Sequence, residues 1–158
     1  VSTVAWRVAD RVYTEPPFNP FDGEGARLYG GRWNTAGVPV VYAAGACSLA
    51  LLEVLVHVPD LVVLKGYVVY RVEIPDELIA EVPFDELPEN WNQPGLVPDL
   101  RRLGDEWVRS RRSAALRVPS AIIPVEYNFV LNPRHPEFER IDVGPREPLP
   151  VDPRLLKK

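Results

Sequence analysis

The residues best placed to do chemistry lie in the stretch 27–57, RLYGGRWNTAGVPVVYAAGACSLALLEVLVH. Arg32 follows two glycines, Tyr42 sits in an apolar strand pattern, and Glu53 is a lone carboxylate in a greasy helical pattern. A guanidinium beside the amides of Gly30 and Gly31 suits a phosphate or pyrophosphate, because glycine lets an anion approach the main chain closely. A carboxylate withdrawn from water needs a partner. Arg32 is the natural candidate to pair with Glu53, and Arg7, in the short alternating run Val4–Val8, would add a second positive charge.

Each signal also has a plainer explanation. Ala46, Ala50, Glu53 and His57 fall on one helical stripe, so Glu53 could face water and pair with His57. Tyr42 could be packing, and Ser120 could simply begin a strand. The series Arg101, Arg102, Arg109, Arg111, Arg112 and Arg117 is broken by Asp105 and Glu106 and reads as a solvated helix face. Other chemistries find less support. No G-x-S-x-G elbow surrounds Ser48 or Ser120, and His57 and His135 have no zinc-binding spacing, so neither a serine-hydrolase triad nor a metal is expected. Gly23-Glu24-Gly25 is not a dinucleotide fingerprint, because Leu28 holds its third glycine position.

The elements that would position these residues follow from periodicity. Strands are expected at Val4–Val8, Pro39–Ala43, Val62–Leu64, Tyr67–Ile74, Ile79–Val82, Pro119–Val125, Phe129–Leu131 and Arg140–Val143. One helix is expected from an N-cap at Ser48 to about His57, and a second from Asp99 to about Leu116 with Leu100, Leu103, Trp107 and Ser110 inward. Prolines make 12–25 and 75–98 irregular, and 144–158 reads as an extended tail after a single domain at 1–143. The chain has 158 residues, a formal charge of −4 and one cysteine, Cys47, so no internal disulfide can form. That balance gives no general reason to bind nucleic acid or an anionic membrane, and the thiol fits a reducing cytoplasm. Arg7, Asp10 and Arg11 do not read as a signal peptide, and the apolar run 38–58 is interrupted by Pro39, Gly45, Glu53 and His57, so no membrane span is expected.

Taken in order, seven pieces resemble the RES-domain family of toxins, whose naming residues are arginine, glutamate and serine. They are Trp6-Arg7, Gly31-Arg32-Trp33-Asn34, Val41-Tyr42-Ala43, Ala50-Leu51-Leu52-Glu53, Gly104-Asp105-Glu106-Trp107, Val118-Pro119-Ser120, and Asn128 through Asn132-Pro133 to His135-Pro136. The resemblance implies an α+β fold like that of ADP-ribosyltransferases, with a mixed β-sheet core and flanking helices. It implies that NAD is the substrate, cleaved at its nicotinamide–ribose bond, with no further cofactor and no metal. Arg32, Tyr42, Glu53 and Ser120 would then be catalytic, and Arg7, Gly31, Arg32, Tyr42 and Asn128 would bind NAD. It further implies an Xre-type antitoxin partner that itself binds DNA. Transfer of ADP-ribose to a protein is the nearest alternative. A non-catalytic partner-binding module, with Arg32 and Glu53 as a structural ion pair, is the other. Oligomeric state is left open.

Overall fold

A computed structural model describes residues 1–156. Eight strands among them form one sheet: β1 (Ser2–Asp10), β2 (Val41–Ala44), β3 (Tyr67–Pro75), β4 (Ile79–Glu81), β5 (Ala115–Pro119), β6 (Tyr127–Leu131), β7 (Asp142–Val143) and β8 (Glu147–Pro148). The spatial order is β4-β5-β6-β2-β1-β3-β7, and β8 also pairs with β3. Only β4 and β5 run parallel, which makes the sheet mixed. That parallel pair needs a long crossover, and the chain supplies one through a helix. The helices are α1 (Glu24–Tyr29), α2 (Cys47–Leu55) and α3 (Pro98–Ser110). The fold is α+β, as the resemblance implies.

Strand alternation sorts the core into two faces. One face carries Ala5, Ala43, Val68, Tyr70, Val72, Ile74, Ala115, Phe129 and Leu131, covered by Phe21, Leu78 and Ile141. The other face is shared by two helices. On the β5–β6 side, Leu116, Val118 and Val130 pack with Trp33, Trp91, Leu100 and Trp107. On the β1–β3 side, Val8 and Val69, with Ala44 of β2, meet Leu49 and Ala50 of α2. Strands β2 and β6 lie between the two helical covers.

Several boundaries differ from the sequence expectation. Val62–Leu64 is not a strand but part of a 3-10 turn, Leu61–Gly66, opened by Asp60, whose carboxylate accepts from the Val62 amide. Ala46 rather than Ser48 occupies the N-cap of α2, and Leu52 is exposed, so the helix buries one side only. α3 starts at Pro98, with Asp99 in its first turn instead of at the cap. It stops at Ser110 because Arg111 adopts a left-handed conformation (φ 52°), and residues expected to continue the helix become β5. Ser110 is exposed, and its inward place is taken by Gly104. Residues 120–126 turn rather than extend, so the strand expected at Pro119–Val125 ends at Pro119. α1 begins at the end of the 12–25 stretch expected to be irregular and runs on to Tyr29, where no helix was expected. The expected tail is extended through 147–148, where it adds β8 to the sheet; Lys157 and Lys158 lie outside the described residues. No described helix is long and apolar enough to cross a membrane.

Candidate functional site

Glu53 leaves α2 one turn beyond the Leu49 and Ala50 anchor and is half-buried. Its Oε1 accepts two hydrogen bonds, from Ser120 Oγ at 2.9 Å and from Asn128 Nδ2 at 2.6 Å. Ser120 is fully buried just past the end of β5, and its oxygen also accepts from the amides of Ile122 (3.1 Å) and Ile123 (3.0 Å). A serine hydroxyl has one proton, so with both amides pointing at the oxygen that proton is committed to Glu53. Asn128 stands on β6 opposite Val118 of β5 and Ala44 of β2. Its amide nitrogen faces the carboxylate, which fixes the flip and leaves Oδ1 buried with no hydrogen-bond partner. Three distant segments therefore lock one carboxylate oxygen in place, and Oε2 stays available to a further donor.

Tyr42 projects from the same face. Ala44 is in register with Asn128 and Tyr42 with Val130, and residues two apart on a strand share a side. Its hydroxyl accepts from the Trp33 amide (3.0 Å) and donates to Asn34 Oδ1 (2.7 Å). Asn34, wholly buried, donates in turn to the carbonyls of Ala26, Thr35 and Val38. Burial pushes the Tyr42 hydroxyl well above the usual tyrosine range, so it remains a neutral donor. Gly31 is required by this contact: a Cβ there would lie 2.6 Å from the Tyr42 hydroxyl. Gly30 has φ +72°, a conformation open to glycine.

Arg32 is half-buried and donates through Nη1 to the carbonyls of Trp91 (3.2 Å) and Gln93 (3.0 Å). The proline-rich excursion thus closes over the glycine turn, pinned by the arginine and by buried Trp91. The Arg32–Glu53 ion pair expected from sequence does not form. A hydroxyl and an amide satisfy the carboxylate instead, which also removes the premise of a purely structural Arg–Glu pair. Nor does His57 pair with Glu53 among the described residues; His57 is exposed.

Arg7 is placed differently from the pocket role expected of it. Trp6 is in register with Ala44, so the next residue points to the opposite face of the sheet. There Arg7 donates to the carbonyls of Pro20 (2.8 Å) and Tyr42 (2.9 Å), with its guanidinium 5.7 Å from the centre of the Phe21 ring. Desolvation lowers its pKa to about 10. It meets Tyr42 only through the main chain.

Two residues that sequence reasoning assigned to a solvated face belong near the site. Arg101 Nε donates to the Gly31 carbonyl at 2.8 Å. Asp105, buried, accepts from Thr35 through the amide (3.0 Å) and the hydroxyl (2.7 Å). The signal was Gly104: it aligns with Leu100 and Trp107 on the packed stripe, with Arg101 and Asp105 at its border. A Cβ at Gly104 would come within 1.7 Å of the Trp33 carbonyl oxygen, so α3 presses directly on the loop that carries Arg32. His135 is structural, its Nδ1 accepting from the Glu137 amide and its Nε2 meeting the Arg111 carbonyl. Two surface hollows are lined by neither Glu53 nor Tyr42. One of about 350 Å³ is lined by residues including Arg109, Arg111 and Arg134, and one of about 300 Å³ by residues including Arg117 and Tyr127.

Comparison with known proteins adds four findings. The family model described as RES domain matches residues 4–152. A protein named Toxin Res from Photorhabdus laumondii is 39% identical over 155 residues, covering 98% of this chain and 97% of its own length. A protein named Prs ADP-ribosylating toxin, from a Sphingobium species, is 34% identical over 161 residues, covering 100% of this chain and 99% of its own length. Among solved structures, the MbcT–MbcA toxin–antitoxin complex of M. tuberculosis contains a chain that superposes with a TM-score of 0.74 at 18% identity. The match covers 99% of this chain and 87% of that one.

Proposed function

The chain belongs to the RES-domain family, and on that premise we propose that it is a toxin that breaks the nicotinamide–ribose bond of NAD. The observation that carries this reading is the Glu53 carboxylate, gripped through one oxygen by Ser120 and Asn128 on the sheet face that also bears Tyr42. Nicotinamide in NAD is a cationic leaving group and departs as a neutral ring, so no general acid is needed. Positive charge instead develops on the ribose, as in glycoside cleavage. A fixed carboxylate beside that sugar stabilises the charge as it forms, and its second oxygen can hold a ribose hydroxyl. Ser120 and Asn128 act through Glu53, preventing it from swinging away. Tyr42 and Gly31 shape the wall beside it, and Arg32 supplies positive charge for the pyrophosphate.

Purified protein incubated with NAD should release nicotinamide, with ADP-ribose as the product in water and ADP-ribose 1″-phosphate if phosphate is the acceptor. Glu53→Gln keeps an oxygen that can accept from both Ser120 and Asn128, so it should fold normally and lose at least about a hundredfold in kcat. Full activity in a folded Glu53→Gln protein would refute the assignment.

A second reading is favoured by one relative's name, an ADP-ribosylating toxin. Transfer to a protein shares the cleavage step and differs only in acceptor. NAD labelled in its adenylate half, mixed with cell extract, separates the two: label fixed to a protein band means transfer, and label confined to small molecules means hydrolysis or phosphorolysis. We further propose an antitoxin partner, of the DNA-binding Xre type, and a cytoplasmic site of action where the NAD pool lies. Co-expression of a neighbouring helix-turn-helix protein should relieve growth arrest caused by this chain.

A further inference from the structure

The geometry points to Arg101 as a second anion-holding side chain, gripping the dinucleotide's pyrophosphate together with Arg32 from either side of the Gly30–Gly31 turn. This rests on NAD being the substrate. Arg101 comes from the first turn of α3, and its Nε is spent on the Gly31 carbonyl. The guanidinium then lies over Gly30, where a Cβ would meet Nη2 at 2.8 Å and Cζ at 3.3 Å. The glycine pair is therefore a bed for two things at once: Tyr42 against Gly31, and the Arg101 guanidinium against Gly30. Both Arg32 and Arg101 lie near enough to the Tyr42 hydroxyl to act on it electrostatically, so two cations converge on one spot beside the site.

Neither cation is neutralised. Among the described residues, Arg32 and Arg101 enter no ion pair, whereas Arg102, the next residue on α3, pairs with Asp99 at 3.0 Å. Asp105, the one buried acid nearby, is occupied by Thr35. A guanidinium has five N–H donors, and the protein uses the Nε–H of Arg101 and the Nη1 group of Arg32. What remains is a set of donors without protein partners on two half-buried positive charges, which matches the two negative charges and forked oxygens of a pyrophosphate. Holding the phosphates there fixes the sugar relative to Glu53 without touching the bond that breaks.

The competing explanation is that Arg101 only braces the glycine turn. Nicotinamide riboside discriminates, because it has the same scissile bond and no phosphate. In Arg101→Gln the loss of kcat/KM on NAD should exceed the loss on nicotinamide riboside by about tenfold or more, chiefly through KM. ADP-ribose binding, measured by calorimetry, should weaken by a similar factor. Arg101→Lys retains the charge without the fork and should fall between the two proteins; it also keeps the test alive if the glutamine variant folds poorly. Equal losses on both substrates, or unchanged ADP-ribose affinity, would overturn the role and leave a brace. If the unaltered protein binds ADP-ribose through Arg101 but cleaves nothing, the proposed reaction fails while the clamp stands. If it does not bind ADP-ribose at all, the clamp fails too.

Discussion

Ser120 shows how one atom can link stability to chemistry. Its oxygen receives two buried amides and passes its own proton to Glu53. Ser120→Ala leaves Ile122 and Ile123 without an acceptor, which should cost about 1–3 kcal/mol in urea unfolding. It also leaves Glu53 held by Asn128 alone, so NAD cleavage should fall about tenfold or more even where the variant is folded. Wild-type turnover in that variant would mean that Asn128 suffices. Tyr42 makes a separate prediction. Its neutral hydroxyl is stabilised by burial, so the folded-state pKa is raised above the unfolded one. The native protein then holds the proton longer, and this contribution to stability, present below pH about 10, is lost as pH rises beyond it. Arg7, whose pKa falls to about 10, works in the opposite sense in that range. The comparison that isolates Tyr42 is therefore the Tyr42→Phe variant, which should be weaker by about 1–3 kcal/mol at neutral pH, because Trp33 N–H loses its acceptor. Its stability should also decline less on going alkaline. Parallel curves for the two proteins would contradict that account.

At the scale of elements, the site depends on α3 lying hard against the 31–35 loop. Gly104→Ala places a methyl group 1.7 Å from the Trp33 carbonyl oxygen, a backbone atom that cannot swing aside. The variant should lose about 3 kcal/mol or more, or fail to fold, as judged by denaturant midpoint. A mild effect would mean that α3 can shift on the loop without consequence. The same contact explains what sequence could reveal. The strands β1 and β3 were legible because their apolar positions alternate, and β6 because Phe129–Leu131 is a short apolar run. The inward stripe of α3 was legible through Leu100 and Trp107. The end of α3 was not, since it turns on a left-handed Arg111 where glycine is the usual stop. Val62–Leu64 resembled a strand because three apolar residues satisfy either pattern. Glu53 and Ser120 stood out as candidates and Asn128 came with the family resemblance, but their mutual bonding joins residues 67 and 75 positions apart and has no local signature. Arg101 was missed because a charge on a helix face looks solvated until the close approach permitted by Gly104 is known.

At the scale of the whole molecule, the sheet separates the candidate site residues by face. Arg7 and Tyr42 are neighbours across β1 and β2, joined by the Arg7 bond to the Tyr42 carbonyl, yet their side chains lie on opposite faces of the sheet. The outer edge of β3 is the weak margin of this sheet, covered by β7 at Val72–Glu73 and by β8 at Val68–Val69. The Leu149 amide donates to the Tyr67 carbonyl at 3.2 Å, and the Leu149 side chain packs with Val8 and Leu49 under α2. We therefore expect residues 145–156 to be part of the domain and not a dispensable appendage. Ending the chain at Gly144 removes the β8 pairing and the Leu149 contact, which should lower stability by about 2–4 kcal/mol and bare a strand edge prone to self-association. The exposed Arg146–Glu15 pair is lost as well, but Arg146→Ala alone should change stability by no more than about 0.5 kcal/mol. Urea unfolding and light scattering on the two proteins measure both effects. A truncated chain as stable and monodisperse as the full one would show that the edge of β3 needs no cover. Because α2 rests on the same Leu49 cluster, a loss at this margin should also loosen the helix that presents Glu53, lowering NAD cleavage in a protein whose site residues are all intact.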